Sequence, residues 1–461
     1  MPQEPHRAMR HRLALRMLPV LLPALLAACG GGGKSGAEAP PAAAECGVAG
    51  QKAWLSAYMD DWYFWYRLSP RSDAAAYPDV ASYLDALLYT GNSATFPRDR
   101  WSGSQTTESF NRFFGDGQSL GYGISVAGLE LDRDPQRPLY VRYIEPLSPA
   151  ASQGVGRGDQ VIALNGRSAA ELIAADDFSV LSPQQMGTTL TLQLRRQGAD
   201  RTVTLSAAVF ALSPVAGANV VTTAGGRRLG YVAVKDMISQ ALVPLGITFT
   251  RLRNEGVQDL VLDLRYNGGG LVSTGATLAS YVAGVLGNGQ TYASLLYNDK
   301  RSSNNASFQF SQPAAALDLP RVFVLIGRRT CSASEQLING LRGVGLEVVA
   351  IGEASCGKPV GFLPASSCGR TYSIVNFESV NQLNEGRYFE GFAPTCDVAE
   401  DFTAAQGSSA DPLMAAAQTV IATGACPTVA SGTARALVVR PARSPVRSLD
   451  EGDARPGMLP R

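Results

Sequence analysis

Three observations on the sequence predict a multidomain α/β protein. The chain has 461 residues, which is enough for two or three domains. Residues 46–90 show the apolar periodicity of helices, whereas residues 117–208 alternate apolar and polar positions in short runs, as β-strands do. From Leu229 onward, apolar strands alternate with helical stretches, which indicates right-handed crossovers and a layered α/β domain.

The composition excludes several classes of function. The chain is 45% hydrophobic and 17% charged, and its formal net charge of +1 leaves no basic surplus for nucleic acid. No CxxC or HExxH motif occurs, so we predict neither a metal site nor a cofactor. The only histidines, His6 and His11, lie in the first 28 residues. A serine hydrolase built from the rest of the chain would therefore need a lysine or a carboxylate as its base.

Residues 1–28 have the pattern of a bacterial lipoprotein signal peptide. A stretch with four arginines precedes the apolar run Met17–Ala28, which is too short to span a bilayer. The run ends in Leu26-Ala-Ala-Cys29, which resembles a lipobox, so we expect lipidation of Cys29 and attachment to a membrane. The glycine after Cys29 resembles outer-membrane sorting, with the protein facing the periplasm. An ordinary signal peptide with a chance cysteine is the alternative.

The other boundaries follow shifts in composition. Residues 29–45 are a Gly-, Pro- and Ala-rich flexible tether, and residues 46–112 form an N-terminal helical domain. A β-rich domain is predicted over 113–210 and an α/β core over 211–427. Residues 428–461 lack periodicity and are predicted to be a disordered tail without chemistry. One aromatic stripe at helical spacing is predicted to be core: Trp54, Tyr58, Trp62 and Trp65.

Apart from Cys29, the cysteines number six, which suggests disulfides in an exported chain. Fifteen complete pairings are possible. We favour Cys46–Cys426, which would join the two ends of the folded part, and Cys368–Cys396. Cys331 and Cys356 are either paired or simply buried.

The stretch from Thr330 to Lys358 is the candidate active site. Ser332 falls between a predicted strand and a predicted helix, where backbone N–H groups and the helix dipole favour a developing negative charge. Lys358 follows the next strand on a glycine turn, and burial would lower its pKa enough for it to act as a base. The alternatives are a helix-capping box, Ser332-x-x-Glu335, and a solvated loop lysine.

A triple glycine precedes this stretch and is a candidate oxyanion hole. Asn267 and Gly268 lead into Gly269 and Gly270 after a buried strand. Glycine lets a backbone N–H approach closely, and the N–H of Ala333 is the natural second donor. A tight structural turn is the alternative.

Residues 113–210 resemble a PDZ domain. Predicted strands over 139–144, 160–164 and 189–194 are separated by a Ser-Pro-Ala phrase and a Gly-Asp turn, as in that family. The loop Gly121-Tyr122-Gly123-Ile124 matches the carboxylate-binding loop, which implies capture of peptide C-termini by strand addition. Ser119 nearby fits G-x-S-x-G, but the run after it is strand-like, so an esterase using Ser119 has little support.

Together the motifs resemble the C-terminal processing peptidases, the tail-specific protease family. The matching phrases are Asp263–Gly270, Ser332–Glu335, Gly352–Lys358 and Glu390–Pro394. The resemblance implies a layered, crotonase/ClpP-like α/β serine protease core, with Ser332 as nucleophile and Lys358 as base. Gly269 or Gly270 with Ala333 would form the oxyanion hole.

The chain departs from that family at two places. Phe362 stands where the best-known branch has a glutamine that orients the lysine, and Thr395 stands where an aspartate follows the proline. The residue that positions Lys358 is therefore unassigned, and an activator or a homo-oligomer is plausible.

The sequence thus predicts an exported, lipid-anchored serine endopeptidase that uses a Ser332/Lys358 dyad. Its partners would be protein or peptide substrates in the cell envelope, recognised through their C-termini by the PDZ domain. The alternative is a catalytically inactive envelope protein of the same fold that binds a peptide or a lipid.

Overall fold

The computed structural model describes residues 45–427 and 458–460. The predicted signal peptide, the predicted lipidation site Cys29 and most of the tether lie outside these residues. Among the helices that are described, none combines the length and the apolar character needed to cross a membrane.

The N-terminal region packs its aromatic residues into the main core, as predicted. Tyr58, Trp62 and Trp65 are buried, and Trp54 stacks on Tyr58 at a centroid distance of 5.2 Å. The region shares one apolar cluster with the α/β region that follows later in the chain, so it does not fold around a core of its own. Its elements are α1 (Val48–Trp62), α2 (Val80–Leu87), β1 (Gly103–Thr106) and α3 (Thr107–Phe114).

The β-rich region has a separate apolar core. Its main sheet has the order β3-β4-β5-β7-β8 with β6 beside β5, while β2 and β9 form a ribbon. Strand β3 is therefore an edge strand. The elements are β2 (Gln118–Gly121), β3 (Ile124–Val126), β4 (Leu139–Ile144), α4 (Pro149–Ser152), β5 (Gln160–Leu164), β6 (Arg167–Ser168), α5 (Ala169–Ala175), β7 (Thr189–Arg196), β8 (Ala199–Ser206) and β9 (Ala208–Ala211).

A mostly parallel sheet forms the centre of the third region, as the strand–helix alternation predicts. Its order is β10-β11-β12-β15-β16-β21, with only β10 antiparallel to its neighbour. Apolar clusters cover both faces, which explains the near-continuous apolar strands. The elements are β10 (Val215–Thr222), β11 (Arg228–Val234), α6 (Leu242–Asn254), β12 (Asp259–Asp263), α7 (Val272–Ala283), β13 (Thr291–Tyr297), β14 (Ala306–Gln309), β15 (Arg321–Ile326), α8 (Ala333–Gly343) and β16 (Glu347–Gly352).

Two smaller sheets complete this region. An antiparallel sheet has the order β14-β13-β20-β17, and a second has the order β1-β19-β18, so the N-terminal region contributes a strand to it. The remaining elements are β17 (Val360–Phe362), β18 (Ala365–Ser367), β19 (Arg370–Ser373), β20 (Val375–Val380), β21 (Cys396–Asp397) and α9 (Pro412–Thr423).

The disulfides correct the pairings favoured from the sequence. The bonds are Cys46–Cys368, Cys331–Cys356 and Cys396–Cys426, so neither favoured pairing is present. Helix α1 follows Cys46 and packs its Trp54 ring on Tyr372 of β19 at 5.1 Å, which brings Cys46 to the β18–β19 turn that holds Cys368. The first bond therefore fastens the N-terminal region to the core.

The prediction of a structureless tail is wrong for its last described residues. Met458 and Leu459 are buried, and Leu459 pairs with Leu271 as a short parallel bridge. The rest of the predicted tail, residues 428–457, lies outside the described residues.

Candidate active site

Ser332 lies at the start of α8, directly after the loop that follows β15. The residue is fully buried and its φ is +60°, a conformation that costs a residue with a side chain of order 1–3 kcal/mol. Its Oγ atom has no hydrogen-bond partner among the described residues. Such strain and such an unpaired buried hydroxyl are typical of functional positions, and the helix N-terminus beside it favours negative charge.

Glu335 connects the serine loop to the lysine loop. Its carboxylate accepts hydrogen bonds from the N–H of Ser332 at 3.0 Å, of Gly357 at 2.8 Å and of Lys358 at 2.7 Å, and from the Ser355 hydroxyl. The side chain is completely buried, and burial raises its pKa while these donors oppose that rise. The capping-box residue is therefore also the structural link between the two candidate catalytic loops.

The disulfide Cys331–Cys356 makes a second link at the same place. Cys331 precedes Ser332, and Cys356 lies two residues before Lys358. The backbone of Cys331 is held in turn by a hydrogen bond from its N–H to Asn267 O at 3.1 Å. The Cys331–Cys356 disulfide and the Glu335 carboxylate together fix the spacing between the backbones of Ser332 and Lys358.

Lys358 is buried on the turn before β17, with 6% of its surface exposed. Its Nζ lies 4.2 Å from the centroid of the Phe362 ring and has no hydrogen bond or ion pair within the described part of the chain. Burial lowers the pKa of Lys358 to about 7, although the charges of Asp99 and Glu335 act in the opposite direction. The ammonium is therefore poised to lose its proton near neutral pH.

Phe362 occupies the position at which the best-known branch of the family that the chain resembles has a glutamine. A phenylalanine ring cannot accept a conventional hydrogen bond, but its negative face attracts an ammonium group. The structure thus places an aromatic face where an amide was expected to orient the lysine.

The triple glycine lies against Ser332. A Cβ on Gly269 would lie only 3.0 Å from both Ser332 Cβ and Ala333 N, and its φ is +105°, so only glycine fits. The N–H of Gly269 donates to Asn267 Oδ1 at 2.9 Å. The N–H groups of Gly270 and Ala333 have no acceptor in the described ranges. These two groups, rather than that of Gly269, are available for an oxyanion.

Asn267 fixes the shape of this glycine loop. Its Nδ2 donates to Val234 O at 3.0 Å, and its carbonyl oxygen accepts the Ser334 hydroxyl at 3.0 Å. The asparagine therefore connects the end of β11 to the first turn of α8.

The predicted peptide-binding loop lies at the start of the edge strand β3. Gly121 ends β2, Tyr122 is buried, and Gly123 has a φ of +74° with Ser148 directly against its Cα. Within the region that the structure covers, the N–H groups of Tyr122 and Gly123 find no acceptor. With Ile124 beginning an unpaired edge, this arrangement is suited to a carboxylate followed by an added strand.

Ser119 lies inside β2, where it pairs with Phe210 of β9. No helix follows it, so the geometry of a nucleophile elbow is absent there, in agreement with the sequence interpretation.

Charged contacts join the β-rich region to the loops of the site. Arg328 forms a salt bridge with Asp132, and Nε of Arg329 lies 3.7 Å from Oε1 of Glu130. Both arginines, which lie shortly before Ser332, therefore contact the β-rich region. At the end of β11, Lys235 pairs with Glu145 at 2.6 Å. The partners in each contact are far apart in sequence, so the sequence analysis did not predict these contacts from any local motif.

The comparisons with known proteins agree with this architecture. Family models match residues 50–103 as a peptidase S41 N-terminal domain, 113–195 as a PDZ domain and 228–372 as peptidase family S41. The chain therefore contains, in this order, an S41-type N-terminal region, a PDZ domain and an S41-type peptidase region. The predictions of an N-terminal helical region, a PDZ domain and an S41-type α/β core are confirmed.

Curated relatives are similar over part of their length. A carboxyl-terminal-processing protease of Synechocystis is 27% identical over 51% of this chain and 53% of that protein. The chloroplastic carboxyl-terminal-processing peptidase 3 of Arabidopsis thaliana is 28% identical over 68% of this chain and 56% of its own length. The chain thus spans about half the length of the curated relatives it matches.

A crystal structure of a Bacteroides fragilis protein assigned to the S41 proteases has the same fold. Its TM-score is 0.63 at 23% identity, covering 81% of this chain and 97% of that one.

Proposed function

We propose that this chain is a serine endopeptidase with a Ser332/Lys358 dyad. The observation that carries the proposal is a buried lysine whose pKa is lowered to about 7. One carboxylate oxygen holds its backbone N–H and that of Ser332, a strained serine whose hydroxyl has no partner among the described residues. The match of residues 228–372 to peptidase family S41 supports it independently.

In the proposed reaction, neutral Lys358 Nζ takes the proton of the Ser332 hydroxyl as Oγ attacks the substrate carbonyl carbon. The N–H groups of Gly270 and Ala333 stabilise the oxyanion, and losing one such donor typically costs about 3–4 kcal/mol in the barrier. The Lys358 ammonium then protonates the leaving amine. A second cycle, with water in place of the amine, hydrolyses the acyl-enzyme and regenerates both groups.

The PDZ domain would supply substrate selection. Its Tyr122 and Gly123 N–H groups would bind the terminal carboxylate of a substrate, and the edge of β3 would pair with the preceding residues. The charged contacts from Glu130 and Glu145 to the site loops provide a physical path by which peptide binding could reach Ser332.

We place the protein in the bacterial cell envelope, attached through a lipid on Cys29 and facing the periplasm. The signal-like first 28 residues support this location, and so do the disulfides, because such bonds persist in oxidising compartments. Envelope proteins and their fragments are then the substrate class. Metabolic labelling with a fatty acid analogue would test the anchor, since Cys29→Ser should abolish the label.

A second reading, an inactive peptide-binding protein of the same fold, is favoured by one observation. Among the described residues Lys358 Nζ has no hydrogen-bonding partner, and Phe362 replaces the expected glutamine. An activator or a second copy of the chain that orients the lysine would reconcile this observation with catalysis.

The deciding experiment compares wild type, Ser332→Ala and Lys358→Ala under oxidising conditions on an unfolded protein, with fragments identified by mass spectrometry. The dyad predicts cleavage by wild type alone while all three remain folded. Cleavage that survives Ser332→Ala would refute the mechanism, and no cleavage by wild type would favour the binding protein.

A further inference from the structure

The segment Met458–Pro460, called the docked segment below, lies in the candidate active site. Leu459 N donates to Gly270 O at 2.8 Å, and Val272 N donates to Leu459 O at 2.7 Å. These two hydrogen bonds form a parallel strand pairing with the residues that directly follow the triple glycine. The docked segment is therefore bound through the backbone of the oxyanion loop.

Its other side pairs with the segment that carries the lysine. Phe362 N donates to Met458 O at 3.0 Å, and this is the residue whose ring covers Lys358 Nζ. A Cβ on Gly361 would lie 2.7 Å from Met458 O, so the glycine leaves space for this close approach. The docked segment thus lies as an added strand between residues 270–272, at the end of the glycine loop, and β17, the strand that follows Lys358.

The side chains of the docked segment fill apolar space next to the serine helix. Met458 is 0% and Leu459 is 1% exposed, and both belong to the main core cluster. Met458 Sδ lies 3.5 Å from Nε2 of Gln336, a residue in the first turns of the helix that begins after Ser332. Burial of these two apolar side chains removes them from water and favours the docked position.

The docked segment therefore contacts all three elements of the proposed site: the glycine loop at Gly270, the strand after Lys358 at Phe362, and the serine helix at Gln336. The backbone groups that bind it, Gly270 O, Val272 N and Phe362 N, are also the groups that an extended substrate would use for strand addition near Ser332. With the segment in place, Ser332 Oγ has no hydrogen-bond partner among the described residues.

We propose that the docked segment is an intramolecular occupant of the substrate cleft, which excludes peptide substrates until it is displaced. This inference rests on the proposed peptidase site and adds its regulation. The 30 residues between Pro427 and Met458 could span at most about 100 Å, which is ample for binding within one chain. Such tethering gives an effective concentration of order millimolar, so even a weak segment competes well with free substrate.

A binding experiment tests the inference without any requirement for catalysis. Every chain carries Ser332→Ala, and a fluorescein-labelled peptide of residues 454–461 is titrated while its anisotropy is recorded. The variant Met458→Asp/Leu459→Asp vacates the cleft, because burying two carboxylates there is unfavourable. The matched control Val446→Asp/Leu449→Asp makes the same changes in the stretch between the core and the docked segment.

The inference predicts that Met458→Asp/Leu459→Asp binds the peptide at least tenfold more tightly than the control and the chain with the unaltered segment. The milder Leu459→Ala should give an intermediate affinity, and thermal melts show that each chain is folded. Equal affinity in all chains, or no binding by any folded chain, would overturn the inference.

The same variants with Ser332 restored separate this inference from the proposed function. We expect Met458→Asp/Leu459→Asp to cleave an unfolded substrate at least tenfold faster, in kcat/KM, than the control. The predicted binding pattern in chains that cleave nothing would establish the occupant of the cleft and refute the peptidase instead.

Discussion

Ser332 and Lys358 are held by the same oxygen atom. Oε2 of Glu335 accepts the N–H of Ser332 at 3.0 Å and the N–H of Lys358 at 2.7 Å. The two backbones are therefore positioned by a single buried carboxylate, although 25 residues of chain separate them. The geometry of the candidate active site therefore involves Glu335, which takes no chemical part in the proposed reaction.

Glu335→Gln should lower kcat about 10- to 100-fold with little change in KM, because a small displacement of catalytic groups is enough for such a loss. The new amide would point N–H groups at backbone donors, so the two loops separate slightly. Steady-state kinetics on a peptide substrate measures the effect. Glu347→Gln, on an exposed residue of β16, is the control and should match wild type. A Glu335→Gln variant in which only KM changes would contradict the role of Glu335 in positioning Ser332 and Lys358.

Lys358→Met should abolish activity and yet stabilise the fold below pH 7. The pKa of Lys358 is lowered in the folded state, so protonation of the buried amine costs stability; the cost is full below pH 7 and disappears as pH rises toward 10.5. Removing the charge recovers a few kcal/mol at low pH. Denaturant unfolding of both proteins from pH 6 to pH 10 measures this. A variant less stable than wild type at every pH would contradict the assigned burial.

Removal of the Cys331–Cys356 disulfide should reduce both stability and activity. Cys331→Ser/Cys356→Ser opens a loop with a separation of 25 residues, for which chain entropy predicts about 3.5 kcal/mol. Cys396→Ser/Cys426→Ser opens a loop of similar size, with a separation of 30, away from the site. We expect similar losses of stability but a drop in kcat only for the first pair. Equal kcat values for both would show that the bond does not position the dyad.

Gly123→Ala should weaken recognition of substrates by their C-termini. The new Cβ would clash with Ser148, and the positive φ adds strain, so the carboxylate-binding loop must shift. KM should rise several-fold for a protein with a free C-terminus and stay constant for the same protein with an amidated one. Gly166→Ala has a similar φ of +81° but no neighbour within 4 Å, which makes it the matched control. Identical behaviour of the two variants would remove the PDZ loop from substrate recognition.

Much of the architecture was predictable because its signals are local. The strands Leu139–Ile144 and Arg321–Ile326 have the predicted bounds, and the glycine loop and Ser332 could be located from residues adjacent in sequence. The Cys46–Cys368 and Cys396–Cys426 pairs were not predictable, because they depend on how α1 and α9 pack on distant strands, whereas a Cys331–Cys356 pair was one of two alternatives open from the sequence. The docked segment was missed for the same reason: its partners are backbone groups of Gly270, Val272 and Phe362, which leave no pattern in the sequence.

The role of Glu335 was only partly predictable from the sequence. Ser332-x-x-Glu335 was recognisable as a capping box, but a capping box is satisfied within one helix turn. Its contacts to Gly357 and Lys358 arise only when the next parallel strand returns the chain to the same end of the sheet.

The most direct test of the dyad is the pH dependence of Ser332 labelling by a fluorophosphonate, followed by intact mass. It should be measured in wild type and in the Met458→Asp/Leu459→Asp chain, with Lys358→Met and Ser332→Ala as controls. The dyad predicts a labelling rate that rises with pH to half its maximum near pH 7, because neutral Lys358 activates the serine. Both controls should remain unlabelled. A rate that is unchanged by Lys358→Met, or no labelling of Ser332 in either chain, would contradict it.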